Sequence, residues 1–223
     1  LKKKLGNKII NHKTYVLAGD GCLMEGISHE SLSLAGHLKL KNLILLFDNN
    51  SISIDGPTSL ATSDNFKKRF NSYGWDYIEI DGHNYKQISK ALTRVQKSKI
   101  PTAISCKTTI GFGAPNKSGT ASAHGSPLGK EEILLVRKKL NWNYDPFKIP
   151  ENILNYWRKI GEKASLEAIK FENKNKNNFL TKNLNSNISK IVNEEKKKYL
   201  KFLEPIATRK SSEIILKVFT KNI

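Results

Sequence analysis

Acidic residues are scarce in this chain. Its 38 lysines and arginines outnumber 20 aspartates and glutamates, for a formal net charge of +18. Such an excess can mark nucleic-acid or membrane partners. Here the lysines are mostly scattered, and no lysine run is interleaved with the stacking aromatics that a single-strand binder needs. Cysteine is rarer still. Cys22 and Cys106 stand alone, too few for a disulfide framework, and both lie in buried-looking segments. Both are expected to be reduced core residues of a cytoplasmic protein. No apolar run approaches the roughly 18 residues of a membrane helix, and no secretory-signal pattern is visible. The expectation is no membrane partner and no nucleic-acid partner. Two catalytic motifs are also missing. His29-Glu30 lacks a second histidine four residues on, which excludes the zinc-protease pattern, and 113–119 lacks the Gly-Lys-Ser/Thr order of a Walker loop.

Apolar content is a modest 38%, yet 223 residues suffice to bury a core in one or two domains. The organising stretch is 14–55. A short branched apolar segment, 15–18, ends in Gly19-Asp20-Gly21, and a second, 43–47, ends in Asp48-Asn49-Asn50. Each reads as a buried parallel strand. Between them, 25–38 has apolar residues at near-helical spacing, with Ser28 and Glu30 available to cap its start. In an open α/β sheet, ligands bind outside the carboxyl ends of the strands. Gly19 and Gly21 leave no side chain to block a phosphate and tolerate positive φ, and the following helix start favours an anion. Asp20 and Asn50 offer one charged and one neutral oxygen, a set that suits Mg²⁺ completed by phosphates and water. The stretch reads as a Mg²⁺-diphosphate holder.

Gly-Asp-Gly with Asn50 standing 30 residues after Asp20 resembles the thiamine-diphosphate motif. Its surroundings narrow the match. The run from Gly19 to Glu30, Ser51-Ile52-Ser53-Ile54-Asp55-Gly56, Arg69-Phe70, Tyr73-Gly74-Trp75, the run from Lys107 to Thr120, and His124-Gly125-Ser126-Pro127-Leu128-Gly129 resemble transketolase. The resemblance is close over 14–150 and looser, though collinear, to the end. It implies ketol transfer between sugar phosphates with thiamine diphosphate and Mg²⁺ as cofactors. It also implies that Asp20, Asn50 and the backbone carbonyl of Ile52 hold the metal, that Gly21 lies against the diphosphate, and that His124 sits near the diphosphate and the reacting hydroxyl. Imidazole can donate a hydrogen bond or carry a proton there. By the same resemblance Arg209, in Thr208-Arg209-Lys210, holds the substrate phosphate, a task that suits a guanidinium. Glu25 matches a family glutamate near the subunit interface. His12, His29, His37 and His83 read as structural or surface residues.

Downstream, 64–73 reads as a short helix with Asp64 at its start and 75–80 as a strand. Residues 87–96 read as a helix capped by Asn84 and burying Ile88, Leu92 and Val95, and 101–107 as a buried strand. Alternating strands and helices predict a doubly wound parallel α/β sheet. The glycine-rich loop 108–128 reads as a lid or binding loop. Then follow an irregular link, an amphipathic helix over 153–171, a solvated helical or partly disordered connector over 172–201, and a helix over 211–219. The expected division is a diphosphate-binding domain over 1–140, a helical linker over 141–205, and the first helix of a second, pyrimidine-binding α/β domain over 206–223. Residue 1 is leucine, the only methionine is Met24, and 1–5 resemble the tail of a helix. The family supplies its pyrimidine-activating glutamate from a second domain of the partner subunit. The chain is therefore expected to be part of a split or truncated transketolase, inactive alone and completed by a homodimer or a complementary pyrimidine-domain chain. Two other readings stay open. One is another thiamine enzyme, either a sugar-phosphate synthase or the alpha component of a keto-acid dehydrogenase. The other is a non-catalytic basic binding protein.

Overall fold

Branched and aromatic residues crowd four segments that form one parallel sheet. The structure, a computed structural model, describes residues 6–7, 10–175, 182–201 and 205–222. The chain divides into two compact units, Leu1–Asn143 and Tyr144–Ile223. In the first, β1 (Thr14–Gly19) leads through α1 (Asp20–Met24) and α2 (Gly26–His37) to β2 (Leu43–Asn49). A small antiparallel pair follows, β3 (Ile52–Ser53) with β4 (Gly56–Pro57), then α3 (Phe66–Ser72) and β5 (Asp76–Asp81). Helix α4 (Tyr85–Val95), β6 (Thr102–Lys107) and α5 (Lys130–Lys139) complete it. The main sheet runs β1-β2-β6-β5, with every pairing parallel.

Strand periodicity sorts the core onto two faces. Leu45 and Phe47 of β2 and Ala103 of β6 pack with Leu23, Leu32, Ala35, Phe70 and Trp75 from α1, α2 and the α3 region. Their neighbours Ile44 and Ile104 pack with Ala91 and Val95 of α4 on the other side. Helices therefore cover both faces, as a doubly wound sheet requires. Phe47 is 0% exposed and meets Phe66 edge to face at 4.7 Å. Burying a side chain of that size stabilises by about 1.5–3 kcal/mol. Trp75 Nε1 donates to Leu32 O at 2.8 Å, which satisfies the indole inside the core. Arg69, with a nearly buried side chain, donates to Leu23 O at 2.7 Å and so ties α3 to the end of α1.

The register levels the carboxyl ends of the strands. Gly19 lies opposite Asp48, Asp48 opposite Cys106, and Asp81 opposite Lys107. That alignment brings side chains from distant sequence positions onto one rim.

Several sequence expectations change here. Among the described residues β1 lies at the edge of the sheet, and Leu17 is 80% exposed. An apolar run records that a strand forms without recording whether neighbours cover it. The helix expected over 25–38 forms as α2, but an unexpected short helix, α1, precedes it, and extended Glu25 separates the two without a side-chain cap. Ser28 instead donates to Cys22 O at 2.6 Å. Asn65, not Asp64, caps α3, accepting from Lys68 N, while Asp64 pairs with Arg69. Asn84 does cap α4, accepting from the backbone of Lys86 and Gln87. Cys22 is exposed, because the short helix that turns Leu23 into the core rotates its neighbour away. Cys106 is half-buried against the α4 face. The helix tail expected over 1–5 lies outside the described residues.

The second unit is helical: α6 (Glu151–Asn175), α7 (Lys182–Tyr199) and α8 (Thr208–Asn222). Of the connector expected over 172–201, described residues are helical to Asn175 and from Lys182 to Tyr199. Tyr199 Oη donates to Ser211 O at 3.4 Å, which links α7 to α8. Among the described residues no helix is long and apolar enough to cross a membrane.

Candidate functional site

Gly19 ends β1, and Asp20 opens α1 with only 3% of its surface exposed. After β2 the chain turns sharply through Asn50 and Ser51. Ser51 adopts a φ of 63°, in the left-handed region that a non-glycine residue seldom occupies. The turn aims two consecutive amides at one carboxylate oxygen. Asn50 N and Ser51 N donate to Asp20 Oδ2 at 3.1 and 3.2 Å. Ile52 N donates to Asn50 Oδ1 at 3.0 Å. Asp20 is thereby drawn to the turn that carries Asn50 and Ile52, some 30 residues further along the chain.

A second layer lies beside them. Asp48 Oδ2 accepts from Asn50 Nδ2 at 3.3 Å, and Asp48 Oδ1 accepts from the Thr108 hydroxyl. Thr108 N donates to Asn49 O at 3.2 Å. Thr109 N donates to His83 Nε2 at 3.0 Å, and the His83 ring stacks on Phe112 with centroids 4.0 Å apart. The loop leaving β6 is thus held from β2 on one side and from the β5 turn on the other.

Burial pushes the Asp20 carboxyl above the ordinary carboxylate range, and the Asp48 charge adds to this. The amides of Asn50 and Ser51 pull the other way. A buried carboxylate under that tension gains from a nearby cation. Burial, with a smaller contribution from Asp48, also raises the Cys106 thiol, which makes it a poor nucleophile.

The glycine-rich loop 108–128, expected to be a lid or binding loop, is anchored at Asn116 and Lys117. Glu132 of α5 is buried at 6% exposure. It accepts from Asn116 N and Asn116 Nδ2, both at 2.8 Å, and from Lys117 N at 3.2 Å. Those bonds, led by the Asn116 amide, hold the Glu132 carboxyl below its usual value. Gly113, at φ 92°, backs onto Leu140, whose side chain would stand 3.2 Å from an added Cβ.

Among the sequence-predicted site residues, the structure joins Asp20, Asn50 and Ile52, with Gly21 adjacent in α1. His124 is exposed beyond a short helical turn, Ala121–Ala123, and among the described residues no hydrogen bond joins it to that cluster. Arg209 is the second residue of α8, in the other unit, and is exposed. Sequence reasoning passed over Asp48, Ser51, His83, Thr108 and Glu132. Asp48 was readable as an acidic residue at a strand end. The left-handed Ser51 carries no composition signal.

The residues present fit a magnesium-diphosphate group. Neither Gly19 nor Gly21 has positive φ, contrary to the role their type suggests, and a Cβ at either would meet no protein atom within 4 Å. Packing does not demand glycine there, and open space beside Asp20 is what a diphosphate would fill. Among the described residues no group of three or more His, Cys, Asp or Glu could hold a metal. One carboxylate, one amide oxygen and one backbone carbonyl suit Mg²⁺ if phosphate oxygens complete the shell.

A parallel sheet carrying a carboxylate and an amide at its carboxyl rim defines a ligand-binding domain of the doubly wound α/β class. Comparison with known proteins specifies it further. The family model described as transketolase, thiamine diphosphate binding domain, matches residues 2–195. The chain belongs to the transketolase family. A transketolase from Rhodobacter capsulatus is 40% identical over 223 residues, covering 96% of this chain and 33% of the relative. The crystal structure of Campylobacter jejuni transketolase superposes with a TM-score of 0.78 at 37% identity, covering 100% of this chain and 35% of the other. A Pichia stipitis transketolase solved in complex with sedoheptulose-7-phosphate gives a TM-score of 0.64 at 37% identity, covering 73% of this chain and 25% of that one. The chain thus spans between a quarter and about a third of the length of these relatives.

Proposed function

We propose that this chain forms the diphosphate- and metal-holding half of a transketolase site, one that moves a two-carbon ketol unit between sugar phosphates. The cofactors would be thiamine diphosphate and Mg²⁺, with the protein working in the cytoplasm. The observation that carries the reading is the buried Asp20 carboxylate, docked on the turn that presents Asn50 and Ile52. Asp20 and Asn50 would hold Mg²⁺ through side-chain oxygens, and Ile52 through its carbonyl. Gly21 would let the diphosphate approach the backbone. Thiamine diphosphate, when bound, supplies the carbanion-stabilising chemistry. His124 would hold or move a proton at the reacting hydroxyl, and Arg209 would grip the substrate phosphate bidentately. A sugar-phosphate substrate is supported by the Pichia stipitis complex. The pyrimidine half of the site would come from a homodimer partner or a complementary chain.

Calorimetric titration of thiamine diphosphate, with and without Mg²⁺, tests the half-site in the wild-type chain and in Asp20→Ala. Metal-dependent binding lost in the variant is the expected result. A folded wild-type chain that binds no cofactor with Mg²⁺ present would overturn the reading.

A further inference from the structure

We infer that Asp48 is a positioning residue of this site, one that sets which end of the Asn50 amide faces the metal and ties that ligand to the loop bearing His124. The inference rests on the reading of Asn50 as a metal ligand. Asp48 is well placed for the task. It is the penultimate residue of β2, and its backbone is flanked in register by Gly19 on β1 and Cys106 on β6.

An asparagine amide presents an oxygen at one end and a donor NH₂ at the other, and a divalent cation accepts only the oxygen. Two partners of opposite kind sort these ends. A carboxylate oxygen accepts, and Asp48 Oδ2 takes the Asn50 NH₂ at 3.3 Å. The Ile52 amide, a donor, takes Asn50 Oδ1 at 3.0 Å. The other Asp48 oxygen accepts the Thr108 hydroxyl, at the start of the loop 108–128. One carboxylate therefore joins a ligand from the β2 end to the loop that leaves β6. Stability alone does not account for it. Among the described residues no lysine or arginine forms an ion pair with Asp48, and its charge stands near that of Asp20, which a divalent cation would relieve.

The test uses the whole chain with Mn²⁺ as the metal probe and thiamine diphosphate present. Bound Mn²⁺ is read by electron paramagnetic resonance, and the loop by deuterium uptake over 109–124. Asp48→Ala removes the acceptor that faces the Asn50 NH₂. Its Mn²⁺ affinity should fall about 10–100-fold, the range for residues that orient a metal ligand, while the metal-free chain still melts cooperatively. Thr108→Val should speed uptake over 109–124 and leave Mn²⁺ affinity unchanged. Wild-type Mn²⁺ binding with an indistinguishable Asp48→Ala variant overturns this inference alone. So does unaltered uptake in Thr108→Val, which decides the matter even where Asp48→Ala fails to fold. A wild-type chain that binds no Mn²⁺ overturns the half-site reading and this inference with it.

Discussion

Asp20 is a buried carboxyl group whose charge the proposed cation would relieve. Its carboxylate is satisfied by two amides, yet burial still disfavours the ionised form. Asp20→Asn keeps an oxygen for those amides and removes the charge. The metal-free variant should therefore be at least as stable as wild type at neutral pH. Thiamine diphosphate with Mg²⁺ should raise the melting temperature of wild type only, since saturation at 100 times Kd stabilises by about 2.7 kcal/mol. Thermal melts with and without ligands decide it, and a metal-free variant that melts well below wild type would show the charge to be structural. Core and edge should differ as sharply. Phe47→Ala should cost about 3–5 kcal/mol and Leu17→Ala at most about 0.5 kcal/mol, read from denaturant midpoints. The pairing of Asp20 with Asn50 was legible in the sequence because motif residues at strand ends meet wherever parallel strands align. The second layer was not. Asp48, His83 and Thr108 act through bonds to residues 60 and 26 positions away, and only the register reveals those.

At the scale of elements, α5 is a brace for the loop before it. Glu132 reaches back to Asn116 and Lys117, and nothing in the sequence of a basic, amphipathic helix announces that role. These bonds hold the Glu132 carboxyl below its unfolded value, led by the Asn116 amide. A depressed carboxyl contributes stability that is present above the unfolded value. That contribution is lost as pH falls through the folded value. Glu132→Gln should therefore be less stable than wild type at pH 7, with the gap closing as pH drops below the ordinary glutamate range. Urea midpoints between pH 7 and pH 3 measure this, and a gap independent of pH would rule out the carboxylate as the brace. The elements themselves were mostly readable. Strand, helix, strand followed from branched runs and turn residues, and Asn84 capped as its side chain predicts. What failed was context. Hydrophobic periodicity could not tell edge strand β1 from central β2, nor foresee the short α1 that precedes α2 across extended Glu25.

Across the whole molecule, a chain of net charge +18 carries two carboxylates, Asp20 and Asp48, on its proposed cofactor rim. The general charge and the local site must therefore answer to different variables. Long-range attraction to a polyanion works through scattered lysines and is screened by salt. Neutralising six to ten phosphates would cost about 10³–10⁵ in affinity between 50 and 200 mM salt. A diphosphate held through a metal on a buried carboxylate is screened much less. Retention of the chain on RNA should thus collapse over that salt range and be the same for wild type and Asp20→Ala. Thiamine diphosphate binding should persist across the range with Mg²⁺ present and disappear in the variant. Parallel binding curves at the two salt concentrations separate the cases. If RNA retention survived at 200 mM while cofactor binding was absent from both proteins, the basic surface would be the working part of the molecule. The carboxylate rim would then be a feature of the fold alone.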